Sequence, residues 1–248
     1  MNELELIAVA VWSFVVAVAG GAVGLVLGNL RLPLFVAAAS SPAAAGGANI
    51  AVSGIAAATA ATTHVRAGRI NWRLFGWMAP PSVAGALVGG YLSAKVPETA
   101  LLLAIAAVLL FSGLDLLFRR SAPRVREGSH IGAAILSGAI IGLLGGFVGL
   151  ILGSLRMPAL LRLVGETPGR AVGTNLAVGV CVGIAGLLGH LPSAAPDWRL
   201  ILVGGVASVP GALIGARLTG HLSDRALVKA IGVVLLVSGA SLAIQAVV

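Results

Sequence analysis

Apolar residues in this chain run in stretches of about twenty, interrupted by short polar or basic breaks. A hydrocarbon core needs about 20 mostly apolar residues per spanning helix. Such runs occur at Leu6–Gly28, Gly46–Thr63, Leu74–Ala94 and Thr99–Phe118, and again at His130–Gly153, Ala171–Gly189, Leu200–Gly220 and Ala226–Val247. The pattern predicts an all-α, polytopic membrane protein of about eight transmembrane segments. The basic stretch Arg119–Ser129 separates the runs into two sets of four. The expected organisation is a first transmembrane repeat at 1–118, a linker at 119–129 and a second repeat at 130–248.

The two sets correspond residue by residue. Gly20 to Phe35, set against Gly145 to Leu160, gives ten identities in sixteen positions. The match continues, its offset moving from 125 to 126, through Asn49/Asn175, His64/His190, Trp72-Arg73-Leu74/Trp198-Arg199-Leu200 and Ser112-Gly113/Ser238-Gly239. Internal repeats of this kind are characteristic of secondary transporters.

Within each repeat the first apolar run leads through a glycine ridge (Gly20, Gly24 and Gly28; Gly145, Gly149 and Gly153) into a small polar residue, an arginine and a proline. The pieces that follow, Leu32–Ser41 and Met157–Val164, are too short to span; as helix they reach about 12–15 Å. They read as half-helices starting near proline, where the missing N–H costs nothing. A broken helix of this kind is tolerated at membrane depth only where protein or a water cavity surrounds it. Its freed N–H groups beside a fixed positive charge suit an anion. A second ridge pair, Gly85/Gly89 and Gly211/Gly215, reads as close helix packing.

Composition agrees. Only 10% of the 248 residues are charged and 58% are hydrophobic, against about 25% charged in soluble domains. The net charge of +8 sits mainly in short connections, as in the positive-inside pattern, so nucleic acid is not the expected partner. Arg66, Arg69, Arg73, Arg119, Arg120, Arg124, Arg126 and Arg199 outnumber Lys95, Arg162, Arg170 and Arg225 across the expected loops. That places the linker in the cytoplasm, with both termini there too if eight segments span. Half-helices that change the crossing count would make the repeats inverted. The acidic start, Met-Asn-Glu-Leu-Glu, lacks the basic opening of a cleaved signal peptide, so the first run is expected to remain.

Arg31 and Arg156 are the sharpest candidates. A mid-membrane arginine costs about 2.5–3.5 kcal/mol on insertion scales, and its planar fork matches an oxyanion; the alternative is snorkelling at an interface. Asn49 and Asn175 lie near helix starts, with Thr174 adjacent, where they would cap the helix or donate to substrate. Gly28, Asn29, Gly153 and Ser154 complete the expected substrate-binding set. Ser53, Ser82 and Ser208 are weaker candidates, since buried serine often bonds its own helix. His64, His190 and Asp115 are the candidates for proton coupling; the histidines also fit interfacial helix ends, and Asp115, like Glu166, could simply pair with an arginine. No metal-ligand cluster, triad, phosphate loop or carboxylate pair is present, so neither an enzyme nor a cofactor is expected.

Taken together, Gly142–Gly153, Pro158-Ala-Leu160, Pro168-Gly-Arg-Ala-Val-Gly-Thr-Asn-Leu176 and His190, with Gly20–Gly28, Pro33-Leu34 and Ala45-Gly-Gly-Ala-Asn49, resemble the sulfite exporter TauE/SafE family of membrane permeases. Where members commonly carry a glycine run before Pro-x-Leu, this chain has Gly28-Asn-Leu-Arg31 and Gly153-Ser-Leu-Arg156. The resemblance implies a multi-pass protein of the bacterial inner membrane whose partners are the lipid bilayer and a small anion, with a homodimer admitted. The expected function is secondary transport, as an exporter, of a sulfur oxyanion or organosulfonate such as sulfite, thiosulfate or sulfoacetate, by alternating access of the two halves. An uncoupled anion channel or facilitator, or a non-transporting membrane subunit, is the alternative.

Overall fold

The computed structural model describes residues 3–92, 98–118, 131–148, 150–190 and 195–247. The expected linker 119–129, His130 and Gly149 lie outside the described residues, as does the side chain of His190. The elements are α1 (Glu3–Val23), α2 (Gly28–Ala38), α3 (Pro42–Arg66), α4 (Trp72–Leu92), α5 (Glu98–Phe118), α6 (Ile131–Val148), α7 (Gly153–Pro158, widening into a π turn at Ala159–Val164), α8 (Pro168–His190), α9 (Trp198–Leu218, ending in a 3-10 turn) and α10 (Asp224–Gln245). No strand occurs among the described residues.

Helix starts follow local chemistry. Ser41 accepts from the Ala44 N–H at 3.1 Å with Pro42 at the first position of α3, and Ser223 accepts from Ala226 before α10. Asp197 accepts from the N–H groups of Arg199 and Leu200. At the matching place Asn71 Oδ1 accepts from Leu74 N–H at 3.1 Å. Each bond satisfies an orphan donor of a first turn.

Among the described residues, seven helices, α1, α3, α5, α6, α8, α9 and α10, are long and apolar enough to cross a membrane. The expected segment Leu74–Ala94 forms α4, equally long at 21 residues, but Pro80, Pro81, Ser82 and four glycines dilute its apolar content.

Small residues set the packing. A Cβ on Gly85 or Gly89 would strike the backbone of Ala139 or Leu143, and one on Gly142 or Gly146 that of Ser82 or Ala86. The ridge on α4 therefore lies directly against α6, in parallel. Gly211 and Gly215 do the same for α9 against Phe14 and Val18 of α1. In contrast α3 and α8 run antiparallel, with Gly54 beside Gly183 and His64 beside Gly173. So do α5 and α10, where Gly113 meets Gly232 and Gly239 meets Ala106. In a bilayer, where lipid is as apolar as leucine, such close backbone approach is what holds helices together.

The chain breaks earlier than the sequence suggests. Helix α1 ends at Val23, residues 25–27 are non-helical, and α2 begins at Gly28. Asn29 and Arg31 are thus in the first turn of the half-helix, not ahead of it. Gly24 at φ +71° makes the turn, a conformation costly for residues with a Cβ. Leu25 N–H then bonds Gly20 O at 2.9 Å, and Leu150 N–H bonds Gly145 O at 3.0 Å. Helix α2 runs back along α1: Trp12 Nε1 donates to Leu30 O at 2.8 Å, and Phe35 packs beside Val9, Ala48 and Leu200.

Each break plus half-helix therefore returns the chain to the end from which α1 or α6 began. This corrects the expected sidedness. Arg162 and Arg170 lie at the same end of the bundle as Arg66, Arg69 and Arg73, because Asn71 bonds both Glu166 and Thr174. Arg199 starts α9 at the opposite end, where Asp197 N–H meets Ala44 O.

A polar cavity between two broken helices

The half-helix α2 starts without a side-chain cap, its N-cap being Leu27; α7 starts likewise after Leu152. Both starts are buried and no side chain caps them, though Gly153 N–H reaches Ile151 O at 2.8 Å. The breaks touch each other: a Cβ on Gly153 would lie 3.3 Å from Val26 N and 3.3 Å from Asn175 Nδ2. At the other start, a Cβ on Gly28 would sit 2.8 Å from Ser53 Oγ and 3.0 Å from Asn49 Nδ2. Glycine at both positions lets a helix start press against an asparagine on the next long helix.

Gly28, Asn29, Asn49, Ile50, Ser53, Leu150, Ile151, Leu152 and Ser154 line one small cavity. It holds about 10 Å³, the room of about one water. Asn49 is 1% exposed and its Oδ1 has no hydrogen-bond partner. Ser53 and Ser154 are equally sequestered, at 2% and 3% exposure. The lining thus brings together four of the expected substrate-binding residues, Gly28, Asn29, Asn49 and Ser154, with the weaker candidate Ser53 beside them.

The two arginines are fully buried but differently held. Arg31 donates from Nη1 to Ser53 Oγ at 3.3 Å and stacks 5.8 Å from the centre of the Phe35 ring, a cation–π contact. It borders a second small void, also bordered by Ser53 and by Leu25, Val26 and Leu27. Arg156 donates from Nη1 to Asn175 Oδ1 at 3.0 Å. Asn175 in turn donates to Gly24 O at 2.7 Å and to Gly153 O at 2.9 Å. This ties both breaks to α8. Nε of each arginine lacks a partner.

Other expected site residues lie elsewhere. Thr174 Oγ1 accepts from Asn71 N–H at 3.0 Å, bracing the start of α4. His64 is buried in the last turn of α3 with no partner on either ring nitrogen, away from the cavity lining. Asp115 forms an ion pair with Arg162, linking α5 to the π turn. Asn29 sits at the cavity but donates to Ser238 O on α10, while its own carbonyl accepts from Gln245. The sequence undervalued Ser53: one helical turn beyond Asn49, it shares that residue's face, which is the signal that would have found it.

The profile of the family described as Sulfite exporter TauE/SafE matches residues 9–242. No curated protein and no solved structure matches the chain. Since the match begins inside α1 and ends inside α10, it takes in both breaks and the cavity between them, and the chain belongs to the sulfite exporter TauE/SafE family of membrane transporters.

Proposed function

We propose that this protein is a secondary transporter of the bacterial inner membrane that exports a small sulfur oxyanion through the cavity between α2 and α7. The observation that carries the reading is the meeting, in one small cavity, of the uncapped α2 start, the unpartnered Asn49 amide oxygen, Ser53 and Ser154. A helix N-terminus favours an anion through its N–H groups and dipole. Rotation of the Asn49 amide presents two further donors, since carbonyl and amide ends exchange by a half turn. Arg31, one hydrogen bond away through Ser53, supplies the positive charge.

Alternating access is supported by the helix directions. Matching helices α3 and α8 run antiparallel, as do α5 and α10, and α4–α6 repeats as α9–α1. These relations fit two inverted repeats of four long helices and one half-helix, exchanging faces about the cavity. The room of about one water fits an occluded form that must widen to admit sulfite. Basic residues at Arg66, Arg69, Arg73, Arg162 and Arg170 favour that end as cytoplasmic.

The test is flux from proteoliposomes loaded with labelled sulfite, thiosulfate, sulfate or taurine. Efflux that responds to a proton gradient is expected, with Asn49→Ala lowering the rate about tenfold at unchanged yield. Passive leak insensitive to any gradient would make the protein a facilitator, and no flux of any of the four would sink the proposal.

A further inference from the structure

Asn49 and Ser53 of the cavity begin a buried face of α3 that continues to the far end of the helix. Ala57, Ala60 and His64 follow them at helical spacings of three or four, which places all five on one side. Each is at most 2% exposed. From Asn49 to His64 the face rises about 22 Å. The second small void lies along it, bordered by Ser53, Ala56 and Ala57 of α3 and by Gly20 and Gly21 of α1. At Gly21 the void reaches His64, whose ring faces the Gly21 carbonyl without closing a hydrogen bond. Polar side chains thus mark both ends of a lane, and between Ser53 and His64 its α3 wall carries nothing larger than a methyl group.

We propose that His64, together with Arg69, is a second binding site for the exported oxyanion, occupied between the cytoplasm and the cavity. This rests on the function proposed above and names the residues that hand its substrate to the cavity. Three observations support the site. First, neither ring nitrogen of His64 has a partner although the residue is 0% exposed. Buried polar atoms are nearly always bonded, and leaving them bare is costly; a visiting ligand is the partner they lack. Second, the protein's own groups around the ring are already engaged. Gly21 O accepts from Thr219 Oγ1 at 3.3 Å, Arg69 N–H donates to His64 O at 2.9 Å, and Gly173 of α8 brings only backbone against the His64 Cβ. Third, the charged group acting on the ring is a cation, Arg69, whose Nη1 donates to a neutral acceptor, Ala216 O, at 3.3 Å. An imidazole N–H beside a guanidinium suits an oxyanion. The spacing recurs in α8 as Asn175, Gly179, Gly183, Gly186 and His190, so the lane belongs to the repeated unit.

The experiment compares variants of the full-length protein by three readouts: efflux of labelled sulfite from proteoliposomes, sulfite binding by calorimetry, and thermal unfolding. His64→Leu should slow efflux about tenfold and leave the Kd of the cavity unchanged. It should also melt at or above wild type, because two unpaired buried polar atoms are gone. His64→Gln restores an N–H donor and should recover most of the rate. Arg69→Gln should slow efflux several-fold, more in low salt than in high salt. A histidine that serves packing alone would lose rate and melting temperature together, and that result would overturn the proposal. So would wild-type efflux in His64→Leu, or a His64→Gln rate no better than that of His64→Leu. If His64→Leu does not fold, wild-type efflux in Arg69→Gln at both salt concentrations decides against the site. Wild-type protein that moves no oxyanion would overturn the proposed function and this site together, a result distinct from efflux that survives the loss of His64.

Discussion

At the second break, Arg156 is bonded to Asn175, and Asn175 spends its amide on Gly24 O and Gly153 O. At the first break, Arg31 bonds Ser53 instead, and the Oδ1 of Asn49 is left bare. The two stretches share ten of sixteen residues, so the difference comes from their surroundings. Ser53 stands where the second half has Gly179, and Phe35 stands where it has Leu160. A hydroxyl and an aromatic face draw the guanidinium away from the asparagine; a glycine and a leucine offer it nothing else. The lesson is a division of labour. The second break is a clamp that holds the bundle together, and the first, in the function proposed above, is the polar surface that meets an anion.

The largest effect expected from that division is on stability. Asn175→Leu removes three hydrogen bonds and strands the buried Arg156, which should cost about 3–5 kcal/mol. Thermal unfolding in detergent should show it, while Asn49→Leu should shift unfolding by less than half as much and abolish flux instead. Equal losses of stability in the two variants would erase the comparison. Gly24→Ala comes next. Its φ of +71° and the collision with Val172 should cost about 1–3 kcal/mol, whereas Gly54→Ala, with nothing within 4 Å, should be near neutral.

The arginines sharpen the contrast. Arg31→Lys keeps the charge but loses the fork, and should weaken sulfite affinity about tenfold with little change in unfolding. Arg156→Lys should show the reverse balance, measured by binding calorimetry and melting on the same preparations. Smaller again, Ser53→Gly should release Arg31 to Asn49 and make the first break resemble the second, reducing flux several-fold. The reciprocal Gly179→Ser should loosen Arg156 from Asn175, seen as faster hydrogen exchange near Gly24. Trp12→Phe, which removes one bond to Leu30 O, should lower stability by about 0.6–1 kcal/mol.

Much of this was legible from residues alone. Runs of about twenty apolar positions mark long helices because a bilayer imposes one length, and the all-helical fold with its short second and seventh helices follows. The pairing of Arg31 with Arg156 and of Asn49 with Asn175 follows from the repeat. The break itself was misplaced by a few residues. Proline and arginine suggested a boundary, but α2 accommodates Pro33 within its first turns, and the boundary is set by Gly24, whose positive φ turns the chain out of α1 and lets Leu25 N–H bond Gly20 O.

What the sequence determined by itself is the inventory: membrane-length helices, two copies of one broken-helix motif, a basic linker, and the buried polar residue types available to an anion. Tertiary structure decided which of those polar groups are already spent. Hydrogen-bond partners such as Gly24 O for Asn175, or Ser53 for Arg31, lie on other helices. A side chain has only a few donors and acceptors, so a partner met across the bundle decides whether it locks the fold or remains free for a ligand. Near-identical motifs thus acquire different roles from the neighbours that packing brings to them.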